Sequence, residues 1–274
     1  MIVGEAIRTA ATRLATISDT ARLDAELLMA QALGISRSDM LLRAMNRAVP
    51  EVFAALIERR AGHEPVAHIL GHQEFYGREF RVTPDVLIPR GDSETLIAAA
   101  LEVAPDAASV LDLGTGSGAL LVTALLELGA AQGVGTDRSQ AALEVAQENA
   151  RRHGLGPERA QFRHLDWRTA RWAEGLEKFD LILCNPPYVE TEAELAPDVR
   201  EHEPAGALFA GRDGLDDYRI LIPQIRALMK PGGTAIFEIG YTQGDAVTAL
   251  AQARGFLAEI RLDLANRPRV VVLW

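Results

Sequence analysis

The stretch Ser109-Val-Leu-Asp-Leu-Gly-Thr-Gly-Ser-Gly118 decides the fold of this 274-residue chain. An aliphatic run typical of a buried strand leads into three glycines, and a helical pattern follows over residues 119–128. Glycine lets the backbone turn tightly and approach a ligand closely. Asp137 ends the next predicted strand, 23 positions after Gly114, where a carboxylate can accept hydrogen bonds from two ribose hydroxyls. Both features predict a site for an adenosine-containing cofactor at the carboxyl ends of parallel strands.

Strand and helix patterns alternate from about residue 88 to the end of the chain. Seven segments have strand patterns, namely 109–114, 133–137, 161–166, 179–184, 233–240, 256–263 and 269–274. Helical patterns separate most of them, at 119–128, 140–153, 216–229 and 243–255. This alternation predicts an α/β fold with a mainly parallel, doubly wound sheet. Because the last two strands lie close together in sequence, we expect at least one antiparallel pairing at the edge.

The first sixty or so residues have helical patterns only. Within 21–33, four apolar residues recur at helical spacing: Leu23, Leu27, Leu28 and Ala32. Gly34 is a C-cap candidate, Ser36 can cap a short helix through Leu42, and Pro50 fits the first turn of a helix over 51–60. Glycines and a proline then punctuate short β-rich runs. The sequence therefore predicts a helical bundle over 1–67, a β-hairpin linker over 68–87 and a catalytic domain over 88–274.

Composition and charge restrict the class of protein. Hydrophobic residues make up 48% of the chain, and no segment is apolar enough to span a bilayer. The single cysteine, Cys184, excludes an internal disulfide and suits a reducing cytoplasm, where we expect the protein to act. The net charge of −10 divides into about +1 over residues 1–60 and −11 over the rest. An acidic catalytic region disfavours a nucleic-acid substrate.

The glycine loop alone leaves the cofactor open. Gly114, Gly116 and Ala119 also satisfy the dinucleotide fingerprint, so NAD and S-adenosylmethionine (SAM) compete as ligands. Asp166 and Trp167 end the third strand, where a carboxylate can accept from the adenine amine and a ring can pack on the base. The six histidines are scattered without a metal-ligand spacing, so we expect no metal.

The fourth strand ends in Asn185-Pro186-Pro187-Tyr188, beside the expected switch point of the sheet. Prolines cannot donate to a sheet ladder, and a residue before proline is held extended, so Asn185 is aimed by its backbone. Carbonyls around the prolines are left free to accept hydrogen bonds. Two acceptors beside the Tyr188 ring predict a receptor for a planar amine. Such a nitrogen can attack a sulfonium methyl group once it is oriented.

At this point the chain resembles a known family. Asn185 to Tyr188, with Asp112 to Gly118, resemble amino-methylating class I SAM-dependent methyltransferases. Pro231 to Gly233, before the fifth strand, also resemble that fold. Further stretches narrow the resemblance to the release factor glutamine methyltransferase family (PrmC/HemK): Arg59-Arg60, Glu64 to Gly71, Glu74 to Gly77, Leu87 to Glu94, Glu203-Pro204, Ala207-Leu208, Asp213 to Leu215 and Asp263 to Arg269. The resemblance spans nearly the whole chain.

The resemblance implies a seven-stranded Rossmann-like domain joined by a hairpin linker to an N-terminal helical bundle. It also implies methylation of the glutamine amide in the Gly-Gly-Gln motif of peptide chain release factors, by a monomer that contacts neither nucleic acid nor membrane. Gly114, Thr115, Gly116, Ser117 and Gly118 would hold SAM, which leaves as S-adenosylhomocysteine. They would be joined by Asp137, Asp166, Trp167 and Asn185.

For the substrate, the resemblance implies that Asn185 and the Pro186 carbonyl are the catalytic acceptors. Pro187 and Tyr188 would complete the glutamine site. Gly91 departs from the family, which usually has proline there, and we expect it to loosen the loop beside the cofactor.

Three other functions compete with this one. A related family with the same tetrapeptide methylates glutamine in a ribosomal protein. An adenine-amino methyltransferase of DNA or RNA is more distant, since the chain is acidic and has no obvious DNA-recognition domain. A non-catalytic binding module is the third, for which the N-terminal bundle alone would be a candidate.

Overall fold

The computed structural model describes all residues, 1–274, and divides them into two units. The first unit comprises residues 1–72 and 195–202, and the second comprises 73–194 and 203–274. Six helices form the first unit: α1 (Val3–Leu14), α2 (Ala21–Leu33), α3 (Arg37–Arg43), α4 (Val52–Ala61), α5 (Val66–Leu70) and α9 (Pro197–His202). None of the helices in the chain combines the length and apolar character needed to cross a bilayer.

The predicted helix over 21–33 is confirmed, and its ends follow the local chemistry. Gly34 adopts a left-handed φ of 67° after α2, and the Ser36 side chain accepts a hydrogen bond from the Asp39 amide at the start of α3. The buried face of α2 differs from the expected one, however. Leu28 is fully buried, whereas Leu23 is 40% exposed. The buried residues of α2 include three alanines, Ala21, Ala25 and Ala30, beside Leu28 and Met29, and α1 packs against this helix.

A buried ion pair lies inside the first unit. Arg60 on α4 donates to the Asp24 carboxylate on α2 over 2.8 Å, and both side chains are almost fully buried. Arg60 also lies 3.5 Å from Asp198 on α9. The bundle thus includes a helix from much later in the chain, since a buried guanidinium needs anionic partners. This membership was not expected from the sequence.

The second unit begins with a two-stranded sheet, β1 (His72–Phe75) and β2 (Arg78–Arg81). The central sheet contains β3 (Ser109–Leu113), β4 (Gln132–Asp137), β5 (Ala160–His164), β6 (Phe179–Cys184), β7 (Met229–Glu238), β8 (Ala258–Leu262) and β9 (Pro268–Leu273). The helices of the second unit are α6 (Glu94–Val103), α7 (Ala119–Glu127), α8 (Gln140–Arg152), α10 (Ala205–Leu208), α11 (Asp216–Leu228) and α12 (Gly244–Gln252). A 3₁₀ turn over Gly91–Ser93 precedes α6.

The seven predicted strands of the central sheet are confirmed, in the order β5-β4-β3-β6-β7-β9-β8. Strands β5, β4, β3, β6 and β7 pair in parallel, and β9 pairs antiparallel with both β7 and β8. The expected antiparallel edge is therefore present. Alternate residues of one strand face opposite sides of the sheet. Val110 and Leu181 accordingly belong to one hydrophobic core, and Leu111 and Ile182 belong to the other.

The strand order places the site. The chain moves from β3 outward through β4 and β5, and then returns to place β6 on the other side of β3. Leu113 pairs with Cys184, so the segments after β3 and β6 leave the sheet side by side. This is the topological switch point, where the carboxyl ends of parallel strands leave a crevice. Cys184 is fully buried and belongs to the core.

Candidate functional site

The loop after β3 needs glycine at three positions. Gly114, Gly116 and Gly118 have φ values of 74°, 53° and 81°, in the left-handed region that other residues rarely adopt. Space is equally limiting: a Cβ on Gly114 would lie 3.0 Å from Trp167, and one on Gly118 would lie 3.1 Å from the Ala146 side chain. Glycine here holds the loop close to its neighbours and leads directly into α7.

Asp137 anchors this loop from the end of β4. Its carboxylate accepts from the Gly116 amide over 3.0 Å and from the Ser139 amide over 2.8 Å. Each carboxylate oxygen has two acceptor positions, so both oxygens can still accept from the hydroxyls of a ribose. The same side chain therefore shapes the glycine loop and faces the cavity.

A second carboxylate, Asp112, lies fully buried under the loop. It accepts from the Thr115 hydroxyl over 2.6 Å, and its other oxygen has no hydrogen-bond partner. Burial raises the pKa of Asp112 to about 7, against the effect of the Thr115 hydrogen bond.

Trp167 is held in one orientation by a buried acid. Its indole Nε1 donates to Asp217 Oδ1 over 2.7 Å, and Arg168 binds the same carboxylate at 2.8 Å. Asp217 itself is completely buried, at the start of α11. Asp166 accepts from the Arg168 amide over 2.9 Å and lines the cavity. The ring of Trp167 is thereby fixed against the glycine loop.

In the segment after β6, the side-chain donors of Asn185 and Tyr188 point to partly buried groups of the protein. Asn185 Nδ2 lies 3.4 Å from the Ser93 hydroxyl, and the Tyr188 hydroxyl donates to Glu238 over 3.1 Å. Burial and the neighbouring Glu238 carboxylate raise the pKa of Tyr188, so its hydroxyl stays protonated. The Pro186 carbonyl makes no hydrogen bond within the chain. Asn185 Oδ1 and the Pro186 carbonyl therefore remain available as acceptors.

These features enclose one cavity of about 280 Å³. Among the residues predicted from the sequence, its lining includes Gly114, Thr115, Gly116, Ser117, Asp137, Asp166, Trp167, Asn185 and Pro187. Gly118, Pro186 and Tyr188 do not line it. Gly118 begins α7, while the Tyr188 ring packs against the core. The structure thus brings most of the glycine loop and Asn185 to one cavity, whereas Gly118, Pro186 and Tyr188 lie outside its lining.

Sequence reasoning missed several residues of this cavity. Arg138 and Arg168 line it directly after the predicted Asp137 and Trp167, so proximity in sequence could have identified them. Leu87, Arg90 and Ser93 line it from the segment before α6. Their stretch carried part of the family resemblance but was given no role.

The segment around Gly91 is held at both ends. The Arg90 guanidinium forms an ion pair with the buried Glu203, and Asp92 lies 2.9 Å from Arg269. Gly91 is exposed between them, with no atom within 4 Å of an ideal Cβ. Ser93, at the end of the turn, is buried. That Gly91 loosens this loop stays a prediction.

The residue set fits SAM. A loop with glycine at positions 114 and 116, a carboxylate at the end of β4 and an aromatic ring after β5 line the cavity. No cluster of His, Cys, Asp or Glu in the chain could hold a metal ion. The arrangement can therefore bind an adenosine-containing group next to Asn185.

The chain is similar to known proteins over most of its length. The model of the PrmC N-terminal domain matches residues 5–71, and a methyltransferase domain model matches 105–259. The release factor glutamine methyltransferase of Cereibacter sphaeroides is 44% identical over 279 aligned positions, covering 99% of this chain and 98% of that relative. The release factor glutamine methyltransferase of Caulobacter vibrioides is 42% identical over 263 aligned positions. This alignment covers 93% of this chain and 89% of that relative.

A solved structure supports the fold separately. The crystal structure of a methyltransferase from Pyrococcus furiosus has a TM-score of 0.53, with 14% identity, and covers 79% of this chain and 95% of that one. At this identity the likeness concerns the fold alone. With the observed strand order, it shows that the second unit has the class I methyltransferase fold.

Proposed function

The chain belongs to the release factor glutamine methyltransferase family, and we propose that it transfers a methyl group from SAM to a glutamine side chain of peptide chain release factors. The acceptor would be the amide nitrogen of glutamine in a Gly-Gly-Gln motif. One observation carries this proposal: Asn185, which follows β6, shares a single cavity with the glycine loop that follows β3. Cofactor and substrate groups can therefore meet at the switch point of the sheet.

We assign the cofactor site to residues of three strand ends. Gly114 to Gly118 would approach the cofactor with backbone alone, and Asp137 would accept from its ribose hydroxyls. Asp166 and Trp167 would border the adenine, with the ring orientation fixed by Asp217. When bound, SAM supplies an electrophilic methyl group on a positively charged sulfur. Asn185 borders the same space and would contact both cofactor and substrate.

The substrate site would act by orienting a poor nucleophile. The lone pair of an amide nitrogen is delocalised into the carbonyl group, so the nitrogen must be held and polarised before it can attack. Asn185 Oδ1 and the Pro186 carbonyl would each accept one N–H of the substrate amide. Pro187 and the Tyr188 ring would pack against the planar amide group. With SAM held by the glycine loop and Asp137, the oriented nitrogen would take the methyl group as the carbon–sulfur bond breaks toward sulfur, and one amide proton would pass to solvent. Positioning of this kind supplies a large part of the rate enhancement.

The remaining assignments follow the same proposal. Residues 1–67 would dock the release factor, 68–87 would link the two parts, and 88–274 would perform the chemistry. An acidic second part supports a protein substrate over a nucleic acid. The single cysteine is buried and unpaired, which fits a cytoplasmic enzyme, and we propose that the enzyme is a monomer.

The experiment that tests this function is direct methylation. Purified enzyme is incubated with methyl-labelled SAM and each release factor, and incorporated label is measured against the same factor carrying a Gln-to-Ala substitution in the Gly-Gly-Gln motif. We expect label in the unaltered factors only. Equal label in the substituted factor, or label only in ribosomal proteins or nucleic acid added in parallel, would overturn the assignment.

A further inference from the structure

The hydroxyl of Ser93 neighbours the side chains of both Asn185 and Glu238. Ser93 ends the 3₁₀ turn before α6 and is only 4% exposed. Its Oγ lies 3.4 Å from Asn185 Nδ2, at the long end of the hydrogen-bond range. The carboxylate of Glu238, the last residue of β7, is 1% exposed and also neighbours the Ser93 hydroxyl. Neither Ser93 nor Glu238 has a role in the function proposed above.

The carboxylate of Glu238 can accept a further hydrogen bond. One oxygen, Oε1, accepts from the Tyr188 hydroxyl, whereas Oε2 is buried without a close hydrogen-bond partner. Burial raises the pKa of Glu238, and the neighbouring Ser93 hydroxyl is the strongest influence that opposes this rise. The guanidinium of Arg269 acts in the same direction as Ser93. An acceptor buried in this way favours any neighbouring hydroxyl that can direct a proton to it.

A serine hydroxyl has a single proton to donate. If the proton of Ser93 is directed at Glu238, Ser93 can only accept on the side that faces Asn185. The amide NH₂ of Asn185 matches this acceptor, and the amide oxygen would meet only lone pairs there. Asn185 Oδ1 is thus turned away from Ser93. Without this constraint, the two amide orientations of Asn185 differ little in shape and would both be populated.

The orientation of Asn185 matters because a substrate amide is also a donor. Asn185 Oδ1 facing the nucleophile accepts its N–H, whereas a rotated Asn185 would present its own NH₂ to another NH₂. We propose that Ser93 and Glu238 are positioning residues that select the amide orientation of Asn185 in which Oδ1 faces the substrate nitrogen. This inference rests on the proposed function, since it assumes an N–H donor in the cavity. Glu238 holds the Tyr188 hydroxyl at the same time, so both parts of the glutamine site share one buried acid.

The first test removes the hydroxyl and then restores it. The single-turnover rate of methyl transfer to a release factor is measured with saturating SAM for Ser93→Ala and Ser93→Thr, and SAM affinity is measured by calorimetry. Ser93→Ala should lower the rate by roughly tenfold, equivalent to about 1.4 kcal/mol, with little change in SAM affinity. Ser93→Thr keeps the hydroxyl and should recover most of the rate. Glu238→Gln is close to isosteric but adds a donor, so it should also slow transfer.

A double-mutant cycle separates positioning from a merely structural role. In the Asn185→Ala background there is no amide to orient, so Ser93→Ala should cause no further loss of rate. A structural contribution of Ser93 would lower the rate by the same factor in both backgrounds. That additive result, or a Ser93→Ala enzyme as fast as the parent, would overturn the inference.

Tyr218 provides a matched control. Its hydroxyl donates to the main-chain oxygen of Glu238 over 2.7 Å, not to the carboxylate, and it is fully buried. Tyr218→Phe therefore removes a buried hydrogen bond to the same residue without touching the proton of Ser93. It should lower the melting temperature and leave the single-turnover rate within about twofold. A rate loss as large as that of Ser93→Ala would count against positioning.

A readout without substrate keeps this inference separate from the proposed function. The side-chain NH₂ resonances of Asn185 are assigned by NMR, and their hydrogen exchange is compared in the parent and Ser93→Ala proteins. Exchange should be faster in Ser93→Ala, because the acceptor for Nδ2 is gone. Unchanged exchange would contradict the inference. An absence of methylation by the parent enzyme would instead contradict the proposed function.

Discussion

The indole ring of Trp167 lies directly against the backbone of Gly114. A Cβ on Gly114 would be 3.0 Å from Cη2 of Trp167 and 3.3 Å from Cζ3, and Gly114 has a φ of 74°. Gly114→Ala should therefore push the ring or the loop out of place, and we expect SAM affinity to fall by at least tenfold, about 1.4 kcal/mol, in isothermal titration calorimetry.

Gly129 is the control for this change. It has a similar φ of 67°, but no atom lies within 4 Å of an ideal Cβ, and it does not line the cavity. Gly129→Ala should lower the free energy of unfolding by about 1–2 kcal/mol, the cost of a left-handed non-glycine residue, and leave SAM affinity unchanged. Equal losses of affinity in the two variants would mean that backbone strain alone, and not the contact with Trp167, is responsible.

Asn185→Ala should separate binding from chemistry. The change removes one acceptor for the attacking nitrogen and leaves the glycine loop and Asp137 untouched. We expect SAM affinity to stay within about threefold and the single-turnover rate to fall by roughly 100-fold, as when one preorganised polar group is lost from an active site. Calorimetry and rapid-quench measurements decide between the roles. Lost SAM affinity with an unchanged rate would make Asn185 a cofactor residue only.

Gly91→Pro should stabilise the loop beside the cavity. Arg90 has an extended ψ of 144°, as a residue before proline requires, and Gly91 is the first residue of the 3₁₀ turn, with open space around its Cβ position. Proline reduces the freedom of the unfolded chain, so the free energy of unfolding should rise by about 0.4–1 kcal/mol. Gly91→Ala, measured beside it in urea denaturation, should gain less. A loss of stability in the proline variant would show that Gly91 needs a backbone that proline cannot adopt.

Asp112 should make stability fall as the pH rises. Burial raises its folded-state pKa from 3.8 to about 7, so the folded protein binds the extra proton between these values. The stabilisation is complete below the lower value and is lost as the pH rises through the higher one, by at most about 1.4 kcal/mol per pH unit. Asp112→Asn cannot titrate and should flatten this slope in urea denaturation between about pH 5 and pH 8.

Asp106 supplies the comparison for the pH series. It is an exposed carboxylate without a hydrogen bond or ion pair to another residue, so Asp106→Asn is the control for removing one acidic side chain in the same series. If Asp112→Asn retains the parent slope, another group is responsible for the pH dependence.

The sequence predicted those parts of the molecule that depend on local pattern. Strands such as β3 and β6 are aliphatic runs bounded by glycine or proline, and parallel strands place their carboxyl ends at one edge of the sheet. Asp137 and Asn185 could therefore be assigned to one site from their positions alone. The caps at Gly34 and Ser36 were predictable for the same reason, since capping depends on adjacent residues.

Contacts between distant parts of the chain could not be predicted in this way. Ser93 reaches Asn185 across 92 positions, and Trp167 reaches Asp217 across 50. Such pairs depend on how helices pack on the sheet, and the hydrophobic periodicity of a sequence does not contain this information. The exposure of Leu23 has the same origin, because helical spacing gives a face but not the side that its neighbours cover.

The central claim is that Asn185 directs methyl transfer to the amide nitrogen of a release-factor glutamine. The most direct measurement is tandem mass spectrometry of a release factor after reaction with SAM and either the parent enzyme or Asn185→Ala. We predict one added methyl group on the glutamine of the Gly-Gly-Gln motif with the parent enzyme, and almost none with Asn185→Ala at the same SAM occupancy. A methyl group on any other residue, or equal modification by Asn185→Ala, would contradict the claim.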